Sequence, residues 1–366
     1  MIESGIAGSR YQRHRIALAP LLPGATGITL ATAAADAAAS GETTFQNLLL
    51  EQGLAPLWDA CIRGHRGTLS LSTGFRDRLK QARREAAGAC LVQRERLSQI
   101  RDMLEHAGIS HVAFKGADTR ERYYREPALR PAADIDILVA PGDRLAAIRV
   151  LRQQGFAFHA EPKNISHEAS LVKKSTAIDL HWDIMRPGRT RVPMVNSLLA
   201  TRLDCGRHWG LSDEGNLFLM LVHPVFTKYS TAPQATLVRL LDLVYLLEKC
   251  APDWDRVCSW LAAAGLKTCG WISLSWLRLL TGIEAEATVR RLLQPGRLRA
   301  RYLQRWLDNN WSGRLLDYPL LVQAGFTLAA HDRPADVIAA IKGQRRGTRN
   351  GLATCLELQA LSGQPA

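Results

Sequence analysis

Two short acidic motifs have the spacing expected of strands that share metal ions. Asp134 and Asp136 are two residues apart, and Asp179 and His181 repeat that spacing later in the chain. In a strand, residues i and i+2 project from one face, so each pair would project together. Three carboxylates brought together by neighbouring strands repel one another, which raises their pKa values. A hard divalent cation removes that conflict, so the motifs predict a site for Mg²⁺, with Mn²⁺ as the alternative ion.

The pair Lys115-Gly116 predicts a phosphate-binding turn at the end of a strand and the start of a helix. A glycine there lets backbone N–H groups and the helix N-terminus approach a phosphate. The Lys115 ammonium would add a positive charge beside it. The alternative is an ordinary turn between a strand and a helix.

The elements that would position these residues alternate between strand and helix over residues 108–187, a pattern typical of an α/β domain. Helices are predicted through Tyr123 and over residues 143–154. Short β-prone segments bounded by turn residues predict strands at 111–114, 134–139, 156–159, 169–173 and 177–182. The last two of these strands flank a predicted turn at Lys174-Ser175.

The flanking regions are predicted as four further segments. Residues 1–41 are interpreted as irregular and flexible, because prolines interrupt an Ala-, Gly- and Thr-rich stretch. Residues 42–107 are interpreted as helical, residues 188–342 as an all-helical domain, and residues 343–366 as a basic tail. Helices in the all-helical domain are predicted at 214–229, 235–250, 254–264, 268–280, 285–293, 298–309 and 315–323.

Composition narrows the class of protein without assigning a function. The chain has 366 residues, of which 47% are apolar, and a formal net charge of +13. No apolar run reaches the roughly 18–20 residues that span a bilayer, so a cytoplasmic protein without a membrane partner is expected. The charge favours polyanions, although arginines on solvated helix faces explain it equally well. Seven scattered cysteines without a CxxC pair argue against a disulfide framework.

These motifs together resemble the DNA-polymerase-β-type nucleotidyltransferase superfamily. More narrowly, they resemble a bacterial group found in biosynthetic clusters, including those for lasso peptides. The group reads Lys-Gly, then Arg-x-x-x-Asp-x-Asp, then a third acid before Leu-His-Trp, followed by a helical His, a Lys and an Asp in a Leu-rich helix. The matching positions are Lys115-Gly116, Arg130 to Asp136, Asp179 to Trp182, His223, Lys228 and Asp242.

The resemblance implies an α/β plus α architecture, in which a small polymerase-β-type sheet is flanked by N-terminal helices and an all-helical C-terminal domain. Asp134 and Asp136 would bind two metal ions, and Asp179 would bind the catalytic one. An NTP would be the substrate, with its phosphates near Lys115 and Gly116. The remaining implied nucleotide-binding residues are Arg130, His181, His223, Lys228 and Asp242.

Structural roles compete with these assignments at four positions. His181 is equally well explained as a hydrogen-bonded core residue, and His223 and Lys228 as structural residues. Asp242 lies among leucines, and a buried acid needs a partner, for which Arg239 or Lys228 is expected.

The chain departs from the wider superfamily at one point. Ala117 and Asp118 follow Gly116, where the superfamily usually has a serine whose hydroxyl meets the triphosphate. This departure leaves the pose of the triphosphate open.

Three functions fit the sequence. The first is an enzyme that transfers a nucleotidyl group, or a phosphoryl group, from an NTP to a hydroxyl of a small molecule or peptide. The second is a toxin-like nucleotidyltransferase acting on tRNA, which the net charge of +13 would suit. The third is a non-catalytic nucleotide-binding module, for which the missing serine argues. The sequence leaves the acceptor, the base preference and the oligomeric state open.

Overall fold

A mixed sheet with surrounding helices forms the described part of this computed structural model, which is residues 11–65, 69–158, 167–228, 236–310 and 318–343. The helices before the sheet are α1 (Gln12–Leu18), α2 (Gly27–Ala39), α3 (Glu42–Glu51), α4 (Ala55–Arg63) and α5 (Thr73–His106). The next elements are β1 (His111–Phe114), α6 (Gly116–Tyr123), β2 (Ile135–Val139), α7 (Arg144–Gln153), β3 (Ala157–Phe158), β4 (Glu168–Lys173) and β5 (Thr176–His181). They confirm the strand and helix alternation predicted for residues 108–187.

The rest of the chain is mainly helical. It contains α8 (Val195–Ala200), β6 (Leu203–Asp204), β7 (Trp209–Gly210), α9 (Asp213–His223), α10 (Thr236–Lys249), α11 (Trp254–Ala264), α12 (Lys267–Thr281), α13 (Ala287–Leu293), α14 (Arg297–Asp308), α15 (Leu320–Ala330) and α16 (334–343). The predicted helix at 254–264 is confirmed to the residue, and most of the others differ at their ends. The last predicted helix, 315–323, overlaps α15 only over residues 320–323, and residues 315–317 lie outside the described part of the chain.

The order of strands places the two acidic segments side by side. The seven strands run β3-β4-β5-β2-β1-β7-β6. β2 and β5 are parallel neighbours, and Asp136 lies directly opposite Asp179 in their register. The sequence prediction that two adjacent strands bring these acids together is therefore confirmed for this pair.

The buried face of β2 and β5 fixes the direction in which the acids project. Ile135, Ile137, Ile178 and Leu180 lie in a hydrophobic core with residues of α5 and α7. Since side chains alternate along a strand, Asp136 projects from the opposite face. A one-residue slip would expose these aliphatic side chains, each worth about 1.5–3 kcal/mol when buried. Core packing thus holds the acids on the other face.

The prediction of an irregular segment at residues 1–41 is wrong for residues 12–39, where α1 and α2 lie. α2 begins with a threonine capping box, and alanines and a leucine form its buried stripe. α1 is held against α4 by a hydrogen bond of 2.8 Å that the Trp58 indole donates to the Ala17 carbonyl. The prolines lie between the helices, so they do not interrupt either one. These helices share one hydrophobic core with the C-terminal helices.

The prediction that the chain is nearly all helical after Pro187 needs a correction at residues 203–210. There β6 and β7 pair with each other and extend the sheet, with Gly210 of β7 beside Ala113 of β1. Strands of two residues carry no alternation of apolar and polar side chains, so their sequence offers no strand signal.

The helix predicted for residues 214–229 ends at His223 and continues as the π-helical segment Pro224–Lys228. A proline removes a backbone donor and its ring clashes with a preceding carbonyl, which breaks the α-helical pattern at this point. Such π segments are frequent at functional sites. The segment here contributes Phe226 to the cavity described below.

Parts of two predictions concern the chain ends. Residues 1–10 of the predicted flexible segment, and residues 344–366 of the predicted basic tail, lie outside the described residues. None of the described helices combines the length and the apolar character needed to cross a membrane.

Candidate active site

A cavity of about 260 Å³ lies between the polar face of the sheet and the helices that follow it. The predicted site residues that line it are Lys115, Gly116, Arg130, Asp134, Asp136, Asp179 and His223. A larger groove of about 870 Å³ lies between the N-terminal helices and contains none of these residues. The smaller cavity is the candidate site, because the groups able to do chemistry converge there.

The acids form a cluster able to hold a hard cation. Ligand atoms of Asp136, Asp179 and His181 lie within 4.8 Å of one another, and Asp134 lines the same cavity. Burial, and then the charges of Asp136 and Asp134, raise the pKa of Asp179 to about 6, although a 2.6 Å hydrogen bond from Ser170 opposes the shift. Carboxylates that raise one another's pKa are stabilised by a divalent ion, so the donor set fits Mg²⁺ or Mn²⁺.

Lys115 is the cation that faces this cluster. Its Nζ lies 2.6 Å from Asp136 Oδ1 and 3.3 Å from His181 Nε2. Burial alone would lower the Lys115 pKa, but the charges of Asp136 and Glu168 outweigh it and raise the pKa. Its backbone has φ 54° and ψ −137°, a conformation that costs a non-glycine residue about 1–3 kcal/mol. Backbone strain of this kind persists only where the surrounding structure enforces it, and strained residues cluster at active and ligand-binding sites.

Gly116 begins α6 directly after Lys115 and permits a close approach of side chains. A Cβ at this position would collide with the Arg130 guanidinium and would lie 3.0 Å from the Ala132 Cβ. Only glycine therefore fits at the start of α6 without moving Arg130.

Arg130 and Asp242 form a buried ion pair beneath the cavity. The guanidinium donates to both carboxylate oxygens, at 2.6 and 3.2 Å, and the Tyr124 hydroxyl donates to the same carboxylate at 2.8 Å. Of the two expected partners, Arg239 makes no ion pair with Asp242, and the side chain of Lys228 lies outside the described part of the chain. Instead, Asp242 on α10 faces Arg130 across the turn before β2. Burial alone would lower the Arg130 pKa, and Asp242 reverses that effect. Asp242 thus joins α10 to the segment that carries the acids.

Asp242→Asn is expected to destabilise the fold by about 3 kcal/mol, because it leaves the buried Arg130 charge without a counter-charge. The measurement is the free energy of unfolding from a urea titration followed by tryptophan fluorescence. Asp102→Asn is the matched control, since Asp102 is exposed on α5. Equal stability of the two variants would contradict the bracing role.

His181 lies between two carboxylates. Its Nε2 is 3.0 Å from Asp136 Oδ1, and its Nδ1 is 3.0 Å from Glu168 Oε2. The ring packs edge-on against Phe114, with 5.0 Å between ring centres. These contacts fix the orientation of the imidazole, and the imidazole in turn fixes the position of the Asp136 carboxylate.

The structure describes the side chain of His223 but only the backbone of Lys228. The His223 Nε2 lies 3.0 Å from the Ile184 carbonyl, and burial, with the charge of Lys115, lowers its pKa well below the usual range. A neutral imidazole at the cavity wall is therefore expected at pH 7. The backbone of Lys228 ends the π-helical segment, and its side chain lies outside the described part of the chain.

Comparison of the sequence with models of protein families gives one match. A family model described as "Uncharacterised nucleotidyltransferase" matches residues 39–282, which is more than half of the chain. The chain belongs to this nucleotidyltransferase family. Comparison with curated proteins gives no match. The matched region contains β1 to β5 and α10, and so every element that lines the cavity.

The nucleotidyltransferase cavity also holds residues that the sequence analysis missed. Glu168 and Ser170 on β4 lie opposite His181 and Asp179 in the hairpin register. The predicted turn at Lys174-Ser175 could have indicated both residues, because a tight turn fixes which residues of its two strands lie opposite each other. Three cavity arginines carried no such signal, since they approach only through tertiary folding: Arg186, Arg189 and Arg239.

The departure from the usual serine has a structural explanation in this nucleotidyltransferase. Asp118 is fully buried and is absent from the cavity lining. Its carboxylate lies 2.9 Å from His208 Nε2 and accepts from the Asn216 amide at 2.7 Å. It therefore joins α6 to α9 and to the β6–β7 loop, and it offers nothing to a phosphate.

Proposed function

We propose that this nucleotidyltransferase moves a nucleoside monophosphate from an NTP to a hydroxyl acceptor, using Mg²⁺ or Mn²⁺ held by Asp134, Asp136 and Asp179. The observation that carries the proposal is the parallel pairing that sets Asp136 opposite Asp179 on the face lining the cavity. A small sheet with acids on adjacent strands is also the arrangement expected of the polymerase-β type.

The reaction needs an in-line displacement. The acceptor oxygen forms a bond to the α-phosphorus, the bond from that phosphorus to the bridging oxygen breaks, pyrophosphate leaves, and the hydroxyl proton passes to water. When bound, divalent ions supply acidity to the acceptor hydroxyl and neutralise charge on the leaving pyrophosphate.

The residues of the chain bind and orient the reactants. Asp136 and Asp179 would hold the ions, and His181 fixes the position of Asp136. Lys115 places a positive charge at the cavity, and the N-terminus of α6 at Gly116 directs backbone N–H groups toward an anion. Positioning and charge neutralisation provide most of the rate in such chemistry.

The acceptor we propose is a small molecule or peptide of a biosynthetic pathway. The net charge of +13 keeps tRNA as the second acceptor class. The missing serine motivates the third alternative, a non-catalytic nucleotide-binding module.

The test uses each of the four NTPs labelled at the α- or the γ-phosphate, with Mg²⁺ or Mn²⁺, and with water, peptide or tRNA as the acceptor. We expect α-label on the acceptor, or NMP and pyrophosphate when only water is present. Release of nucleoside diphosphate with transfer of γ-label would show phosphoryl transfer instead. Absence of any turnover with all four nucleotides and both ions would favour the non-catalytic module.

A further inference from the structure

Three arginines line the cavity together with the acids, and the proposed metal site does not use them. Arg186 and Arg189 lie in the segment after β5, and Arg239 lies on α10. We call these three residues the arginine arc.

The arginine arc has no acidic partners. Among the described residues, no carboxylate lies within ion-pair distance of Arg186, Arg189 or Arg239. Arg189 donates to the Phe226 carbonyl and packs over the Phe226 ring, 5.4 Å from the ring centre. Both partners are uncharged, so the Arg189 guanidinium has no counter-charge in contact with it.

Arg239 also has an unused donor. Its Nη1 is buried and makes no hydrogen bond within the described ranges. Arg130, which lines the same cavity, has its guanidinium held by both oxygens of Asp242. The contrast separates a structural arginine from one whose donors remain available to a ligand.

Partial burial makes this arrangement costly without an anion. Burial, and then the charge of Arg186, lower the pKa of Arg189 to about 10. Burial and the charge of Arg130 also lower the pKa of Arg239, although the charges of Asp242, Asp136 and Asp134 oppose the shift. A buried cation without a counter-charge is unfavourable, and a bound polyanion would remove that penalty. The planar guanidinium fork suits phosphate oxygens in particular.

The geometry points to the arginine arc as the polyphosphate-binding half of the site. We propose that Arg186, Arg189 and Arg239 bind the β- and γ-phosphates of the NTP, in place of the absent serine hydroxyl. The inference rests on the proposed function for the identity of the anion as a triphosphate. A cavity lined both by acids able to hold divalent ions and by arginines without an ion pair in the described residues fits a ligand that brings metal ions and negative charge together.

Inorganic tripolyphosphate is the probe, titrated calorimetrically into the full-length protein with EDTA present, so that metal binding plays no part. We expect Arg189→Gln and Arg239→Gln each to weaken binding about tenfold or more, since a charged hydrogen bond contributes at least that factor. The double variant is expected to weaken it about 100-fold. Arg301→Gln, an exposed position on α14, removes the same charge and is expected to bind like the wild type.

Thermal unfolding separates ligand binding from a structural role. Removal of an uncompensated cation is expected to leave the Tm unchanged or raised, whereas loss of a structural arginine would lower it. Unchanged tripolyphosphate affinity in both arc variants, or no binding by the wild type, would overturn the proposal.

The failure of this inference can be told from the failure of the proposed function. If α-label transfer occurs and both arc variants keep the wild-type KM for NTP, the inference is wrong and the function stands. If arc-dependent binding of tripolyphosphate is found without any transfer, the anion site stands and the proposed function fails.

Discussion

Asp136→Asn is expected to lower Mg²⁺-dependent nucleotidyl transfer about 1,000-fold. Charge stabilisation by a catalytic ion contributes several kcal/mol, and each 1.4 kcal/mol is a factor of ten in rate. Asp136 is 3% exposed and is held by Lys115 and His181, so asparagine keeps its shape and place but loses the charge. The measurement is the initial rate of α-label transfer at saturating NTP and Mg²⁺.

Ser170→Ala is the matched control for Asp136→Asn. Ser170 hydrogen-bonds Asp179 at 2.6 Å but brings no carboxylate to the cluster. Because that hydrogen bond is present in the ground state and in the transition state alike, its loss is expected to change the rate by about tenfold at most. If Asp136→Asn also stays within tenfold of the wild type, the cluster does not hold the catalytic ions.

Lys115→Met is expected to lower both the stability of the protein and its activity. The substitution removes the ammonium 2.6 Å from Asp136, and an ion pair of this kind contributes about 1.5–3 kcal/mol. We also expect about 100-fold slower transfer, because the cavity loses a positive charge that stabilises the transition state. Urea unfolding measures the first effect, and label transfer measures the second.

Lys115→Gly separates the charge of Lys115 from its backbone strain. Glycine loses the same ammonium but accepts φ 54° without cost. It should therefore be no less stable than Lys115→Met and equally impaired in transfer. If the methionine variant matched the wild type in both measurements, Lys115 would not be the cation that neutralises Asp136.

Local sequence patterns were sufficient to predict the strands of the site. The alternation of Ile135, Asp136 and Ile137 assigned one face to the core and the other to the acids, and packing against α5 and α7 confirms it. The repeat of that spacing at Asp179 identified the adjacent strand. These features depend on residues two apart, so the sequence carries them directly.

Features created by distant packing could not be predicted in this way. Arg130 pairs with Asp242 across 112 positions, and no local pattern distinguishes that partner from Arg239. The arginine arc likewise forms only when α10 and the segment after β5 meet at the sheet. α2 was missed for another reason, since its alanine-rich stripe has little apolar contrast.

Direct binding of Mn²⁺ tests the shared ion site most directly. Metal-free protein is titrated with Mn²⁺ while the electron paramagnetic resonance signal of the unbound ion is followed. We predict saturable binding by the wild type and by Ser170→Ala, weakened about 100-fold or more in Asp136→Asn and Asp179→Asn. A wild-type protein without a saturable site, or acid variants that bind Mn²⁺ as the wild type does, would contradict a metal centre on β2 and β5.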